Sequence, residues 1–134
     1  MGFEQARTDL RTHFHNNWSQ TPIQWPNASF DSPDPPAPFV KFNTQPGNSN
    51  KLEVGKSGMS NYPGVLFLGI NVPTGSGDGQ PAIFFDDLRT MFEFKTIGIV
   101  RVKEFQPTTV GQSDDGVWYQ ENANFGFEWR ERPQ

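Results

Sequence analysis

Four sets of residues in this chain could do chemistry. Gly55-Lys56-Ser57 matches the last three residues of a phosphate-binding loop. That loop needs another Gly five positions earlier, to bring backbone N–H groups around the phosphates. Asn50 stands there, and Pro63 interrupts any helix that would follow. The bland reading is a hairpin tip. His13 and His15 are the only histidines. Two positions apart on a helix they point to different faces, so they cannot chelate one metal together. A solvated or capping role is their default, and no nucleophile-elbow pattern surrounds a Ser to make either a catalytic base. Asp86-Asp87 and Asp114-Asp115 are adjacent carboxylates. Acid/base work on a glycoside needs two carboxylates facing one another across a cleft. Neighbours on a helix diverge, and Asp in a polar loop is ordinarily a turn residue. A divalent ion at the second pair is the alternative. Trp25, Trp118 and Trp129 could form a stacking platform for sugars or bases. Core packing is the commoner use of aromatics, and a subunit interface is the better functional reading. The expectation is therefore no catalytic residue, no metal site and no cofactor.

Composition bounds what can position such groups. The 134 residues fit one domain, 1–134. Only 34% are hydrophobic, but these include 13 Phe, 4 Trp and 2 Tyr, which bury much area each. With 13 Gly and 12 Pro the fold should be rich in turns. The absence of Cys rules out disulfides and thiolate chemistry. A net charge of −4 disfavours specific duplex binding, which needs clustered Lys and Arg. The segment Met1 to Leu10 lacks the basic and apolar regions of a signal peptide. The apolar run near Val65 to Val72 is too short to span a bilayer, so no membrane role is expected.

Periodicity then predicts the elements. Phe3, Ala6, Leu10, Phe14 and Trp18 recur at helical spacing, giving a helix over 3–18. Thr21 to Trp25 reads as extended. Pro26 to Pro38 holds five prolines and can only be loop. Strands are predicted at Phe39 to Thr44, at Lys51 to Val54 and at Gly64 to Val72. The last is apolar at nearly every position, as in a strand covered on both faces. Between the second and third of these, Gly55 to Asn61 is Gly/Ser-rich and expected to be mobile. A second helix over 81–93 carries Phe84, Leu88, Met91 and Phe92 on one face. Ile97 to Phe105 alternates as one strand, with Ile97, Ile99, Arg101, Lys103 and Phe105 on one side and Val100 and Val102 on the other. Thr108 to Gly116 reads as a polar loop. Trp118 to Arg130 is a long alternating strand, with Tyr119, Ala123, Phe125, Phe127 and Trp129 on one face. The fold class is α+β, a mostly antiparallel mixed sheet flanked by two helices.

Seven stretches together carry a resemblance. They are FEQARTDLRTHF with WSQTPIQWPN at 18–27, PFVKF at 38–42, NYPGVLFLGI at 61–70, PTGSG at 73–77, DDLRTMF at 86–92 and DDGVWYQENANFGF at 114–127. In order and spacing they resemble the tail terminator (tail completion) proteins of long-tailed phages. The resemblance implies a virion structural protein, not an enzyme, assembled in the host cytoplasm. It implies a homo-oligomeric, hexameric ring on the head-proximal end of the tail tube. The partners implied are the major tail tube protein and the head-to-tail connector or stopper protein. Genomic DNA would pass the lumen without specific binding, helped by an acidic lining. Contacts with subunit, tube and connector are expected from segments 46–62 and 108–117, with Lys51, Glu53, Lys56, Tyr62, Asp114, Asp115 and Trp118 as candidates. The rival readings are another head-tail joining (neck) protein, a carbohydrate-binding module using exposed aromatics and, last, a small hydrolase.

Overall fold

A computed structural model of the chain describes residues 2–47, 50–51 and 60–131. Helix α1 spans Phe3–Asn17 and buries Ala6, Leu10 and Phe14. Glu4 sits in its first turn, where the helix dipole favours an anion. The helix ends as Trp18 turns extended, its N–H still donating to the Phe14 carbonyl. The Trp18 indole N–H then donates to Thr21 Oγ1 at 2.9 Å, fixing the exit of the chain. Helix α2 spans Gly79–Phe92 and buries Pro81, Phe84, Leu88 and Phe92, the expected stripe with Met91 half-buried at its margin. No helix among the described residues is long and apolar enough to cross a membrane.

The strands are β1 (Ile23–Gln24), β2 (Phe39–Pro46), β3 (Asn50–Lys51), β4 (Ser60–Pro73), β5 (Thr96–Ile97), β6 (Val100–Gln112) and β7 (Trp118–Glu131). They form one sheet in the order β1-β2-β4-β7-β6-β5, with β3 beside β4. Among the described residues only β1 and β2 pair in parallel. The centre is the β4–β7 pair, in unbroken register from Ser60↔Glu131 to Pro73↔Trp118. Both helices lie on one face of this sheet. There Leu66, Leu68, Ile70 and Val72 of β4 meet Ala123, Phe125, Phe127 and Trp129 of β7 beneath the helix stripes. The core is an aromatic network. Phe14 stacks on Phe42 at 5.8 Å between ring centroids and on Trp18 at 5.8 Å, and meets Phe92, which in turn meets Phe125. Gly64 lies opposite Phe127, and any side chain there would collide with that ring.

Four expectations are corrected. Strand β4 is not covered on both faces: Leu66 and Leu68 are fully buried, but Val65 and Phe67 on the other face are only half-buried. An apolar run reports a central strand here, not a second helical layer. The predicted strand 97–105 is a hairpin, turned at Gly98 with φ +59. Phe105 is not on the Arg101 and Lys103 side. β6 carries one extra residue between the pairs Val102↔Phe127 and Phe105↔Phe125, so the bulge rotates Phe105 onto the helix face against Phe85 and Phe125. Finally, residues 108–112 are strand, not loop, pairing with β7 as Thr108↔Asn122 through Gln112↔Tyr119. Of the predicted strand 51–54, Lys51 pairs with Ser60; residues 52–54 lie outside the described residues. So do residues 55–59 of the Gly/Ser-rich stretch, whose last two residues, Ser60 and Asn61, begin β4.

Candidate functional site

Among the described residues, the predicted site residues do not converge. Glu53 and Lys56, with the Gly55-Lys56-Ser57 segment, lie outside the described residues, as does the side chain of Lys51. Tyr62 is half-buried and stacks on Trp129 at 5.5 Å and 17°. Asp114 is exposed. Asp115 closes its own turn: Oδ1 accepts the Ser113 hydroxyl and the Val117 N–H. The Ser113 hydroxyl, followed by the Val117 amide, holds the Asp115 carboxyl below its ordinary pKa. Among the described residues no group of three His, Asp or Glu is placed to hold a metal ion.

The aromatic platform is dispersed by the fold. Trp118 is 9% exposed and packs edge-on to Phe39 at 4.9 Å, on the sheet face away from the helices. Phe30 from the proline-rich segment covers Phe39 in turn, at 5.0 Å. Trp129 is 3% exposed, with its indole N–H on Glu131. Trp25 packs under α1 against Phe14 and Phe42, with the Arg11 guanidinium over its ring at 4.7 Å. A carbohydrate-binding module needs exposed rings in one row, and these three are apart and mostly covered.

His13 and Asp87 are accounted for by contacts that tie the helices together, while His15 and Asp86 are exposed. His13 lies edge-on to Phe92, and its Nε2 is 3.0 Å from the Met91 carbonyl near the end of α2, a hydrogen bond between the helices. Asp87 accepts the Gln20 amide at 2.8 Å, tying the segment after α1 to α2. The groove between these helices is lined by His13, Asn17, Gln20, Asp87, Thr90, Met91 and Lys95. None of its side chains pairs a nucleophile with a base.

Charge distribution is the feature that sequence reading missed. At one end of the sheet, segments 26–38, 73–79 and 113–117 carry Asp31, Asp34, Asp78, Asp114 and Asp115 and no Lys or Arg. Glu121 lies just inside this end, and Tyr119 between them has its pKa raised, by burial first and then by Glu121 and Asp78. The other end is mixed: Lys95, Arg101, Lys103 and Arg130 lie among Glu104, Glu128 and Glu131, with Glu128 shared by Lys103 at 3.4 Å and Arg101 at 3.8 Å. Exposed apolar side chains stand out against this polar surface: Ile83, Phe94, Val110 and Val117, with Phe94 at 73% exposure and φ +57. Acidic residues spread over three distant segments give no linear signal, and an apolar residue in a helix-to-strand turn reads as core until its backbone is seen.

The surface is therefore polar at both ends, acidic at one and of mixed charge at the other. A family model described as phage tail terminator protein matches residues 6–121. Nineteen chains of solved structures match as well. One covers 96% of this chain and 98% of its own length, at a TM-score of 0.65 and 15% identity, a likeness of fold. No curated protein matches.

Proposed function

The chain belongs to the phage tail terminator protein family, and from that premise we propose that it caps the head-proximal end of a tail tube as a hexameric ring. It is a phage tail structural protein. In this reading residues 1–134 act as one domain. The ring stops tube polymerisation and presents the docking surface for the head connector. The observation that carries the reading is the extent of the family match, which runs through both helices and from β1 into β7.

The unlike charge of the two sheet ends, one acidic and one mixed, supports it. A subunit between a tube and a connector meets two different neighbours, and two ends of unlike chemistry suit two unlike partners. Ring packing is heterologous, so each subunit also presents two different lateral patches. Ile83, Phe94, Val110 and Val117 are the apolar candidates for those contacts, alongside Tyr62 and Asp114. An acidic lining at the lumen repels phosphate and lets the duplex slide. The test is electron microscopy of lysates from a phage carrying an amber stop early in this gene. Overlong tubes beside DNA-filled, tailless heads are expected. Tails of normal length without heads would move the assignment to another neck protein.

A further inference from the structure

We infer that both edges of the sheet are interrupted against strand addition, so that the chain meets its neighbours through side chains at the sheet ends and faces. An edge strand presents a row of free N–H and C=O groups, a ready template for another chain. In an antiparallel strand the outward groups fall on every second residue. On β2 the Val40 N–H points outward, since it donates to the Pro22 carbonyl at 3.2 Å. The next outward positions beyond the reach of β1 are then Thr44 and Pro46. The Thr44 N–H is taken by Asn43 Oδ1 at 2.9 Å, and Pro46 has none.

The opposite edge repeats the pattern. β5 is two residues long and covers only the start of β6. Past it the Phe105 N–H points outward and is taken by Glu93 Oε2 at 2.8 Å. Two residues on, the next outward position is Pro107, with no N–H to give. Each long edge thus spends one outward amide on a neighbouring side chain and replaces the following one with proline. The same two devices at opposite edges, built from unrelated local sequences, break each row of donors; on β6 the next outward donor after Pro107 is the Thr109 N–H. A tube subunit or a second copy of this chain finds no unbroken amide row to pair with. This inference concerns the mode of contact and stands whether or not the terminator role does.

The test is sedimentation velocity over a range of protein concentrations, with amide hydrogen exchange, on the full chain and on Pro107→Val and Pro46→Val. The wild type is expected to stop at one size, and its Thr109 amide to exchange as fast assembled as dispersed. Each variant restores one outward N–H and should grow with concentration into larger, heterogeneous species. Glu93→Ala with Pro107→Val opens β6 further and should associate more strongly, if it folds. The single variants keep the test decisive if it does not. Variants that remain folded by circular dichroism yet sediment like the wild type would overturn the inference. So would a wild-type assembly in which the Thr109 amide becomes protected.

Discussion

Glu93 and Phe105 are joined where the sheet changes register: Oε2 of the carboxylate accepts the Phe105 N–H at 2.8 Å. The other oxygen, Oε1, accepts from Arg89 Nε at 2.8 Å. One side chain at the exit of α2 therefore holds both the last turn of the helix and the bulge that sends Phe105 into the core.

This contact gives the chain an acid sensitivity with a definite sign. The pKa of Glu93 is lowered, by Arg89 first and by the Phe105 amide next. Glu4 is lowered by Arg7, and Asp115 by Ser113 and Val117. A carboxylate whose folded pKa is depressed contributes stability above its unfolded pKa and loses it as pH falls through the folded value. The melting temperature should be flat above the usual carboxylate range and fall below it. Thermal melts at stepped pH check this, and Glu93→Gln should show a shallower acid decline than the wild type.

Gly98 is the second point of strain. Its φ of +59 disfavours any L side chain, and a Cβ there would collide with the Asp9 carboxylate, which accepts the Ile99 N–H at 3.0 Å. Gly98→Ala should destabilise by on the order of 1–3 kcal/mol. Asp9→Ala in that background should recover part of the loss. Denaturant melts of the two single variants and the double variant measure the coupling, and strict additivity would mean that the collision is not the cause.

Phe14 is fully buried at the junction of four aromatic contacts. Truncation to Ala removes partners from both helices and from β2 at once. The expected loss is roughly 3–5 kcal/mol, read by urea denaturation. Ile83→Ala, at an exposed site on α2, should shift the midpoint little.

Trp118 separates two roles. Its burial against Phe39 predicts that Trp118→Ala destabilises by roughly 3–5 kcal/mol, while Trp118→Phe keeps most of the packing. A Trp118→Phe protein that melts like the wild type but no longer joins a tail would make the indole a contact group instead. Acrylamide quenching offers a second view. Trp18, Trp118 and Trp129 are buried, so most of the fluorescence should resist the quencher.

Much of this fold was legible in the sequence because its periodicities are clean. The α1 stripe of Ala6, Leu10 and Phe14 and the alternation of β7 from Tyr119 to Trp129 each obey one rule from end to end. What escaped was produced by single residues acting on the backbone. Gly98 splits an alternating run into a hairpin, and one extra residue before Phe105 reverses the faces that follow. Residues 108–112 read as loop because their side chains are polar, yet the backbone pairing with β7 decides their conformation. The candidate site was less legible for a different reason. Trp118 packs on Phe39, which Phe30 covers in turn, and the acidic end is assembled from three distant segments. Neither is a property of any one stretch.

The uninterrupted pairing of β4 with β7 has a mechanical consequence. Fourteen consecutive register pairs join these strands, from Ser60↔Glu131 to Pro73↔Trp118. A pull along their length loads every rung of that ladder together, whereas a pull across it would peel the rungs one at a time. The molecule is therefore stiff in the direction that joins its acidic end to the opposite end and more compliant sideways. A load arriving at either end passes to the other through covalent chain and shared shear, with little deformation between.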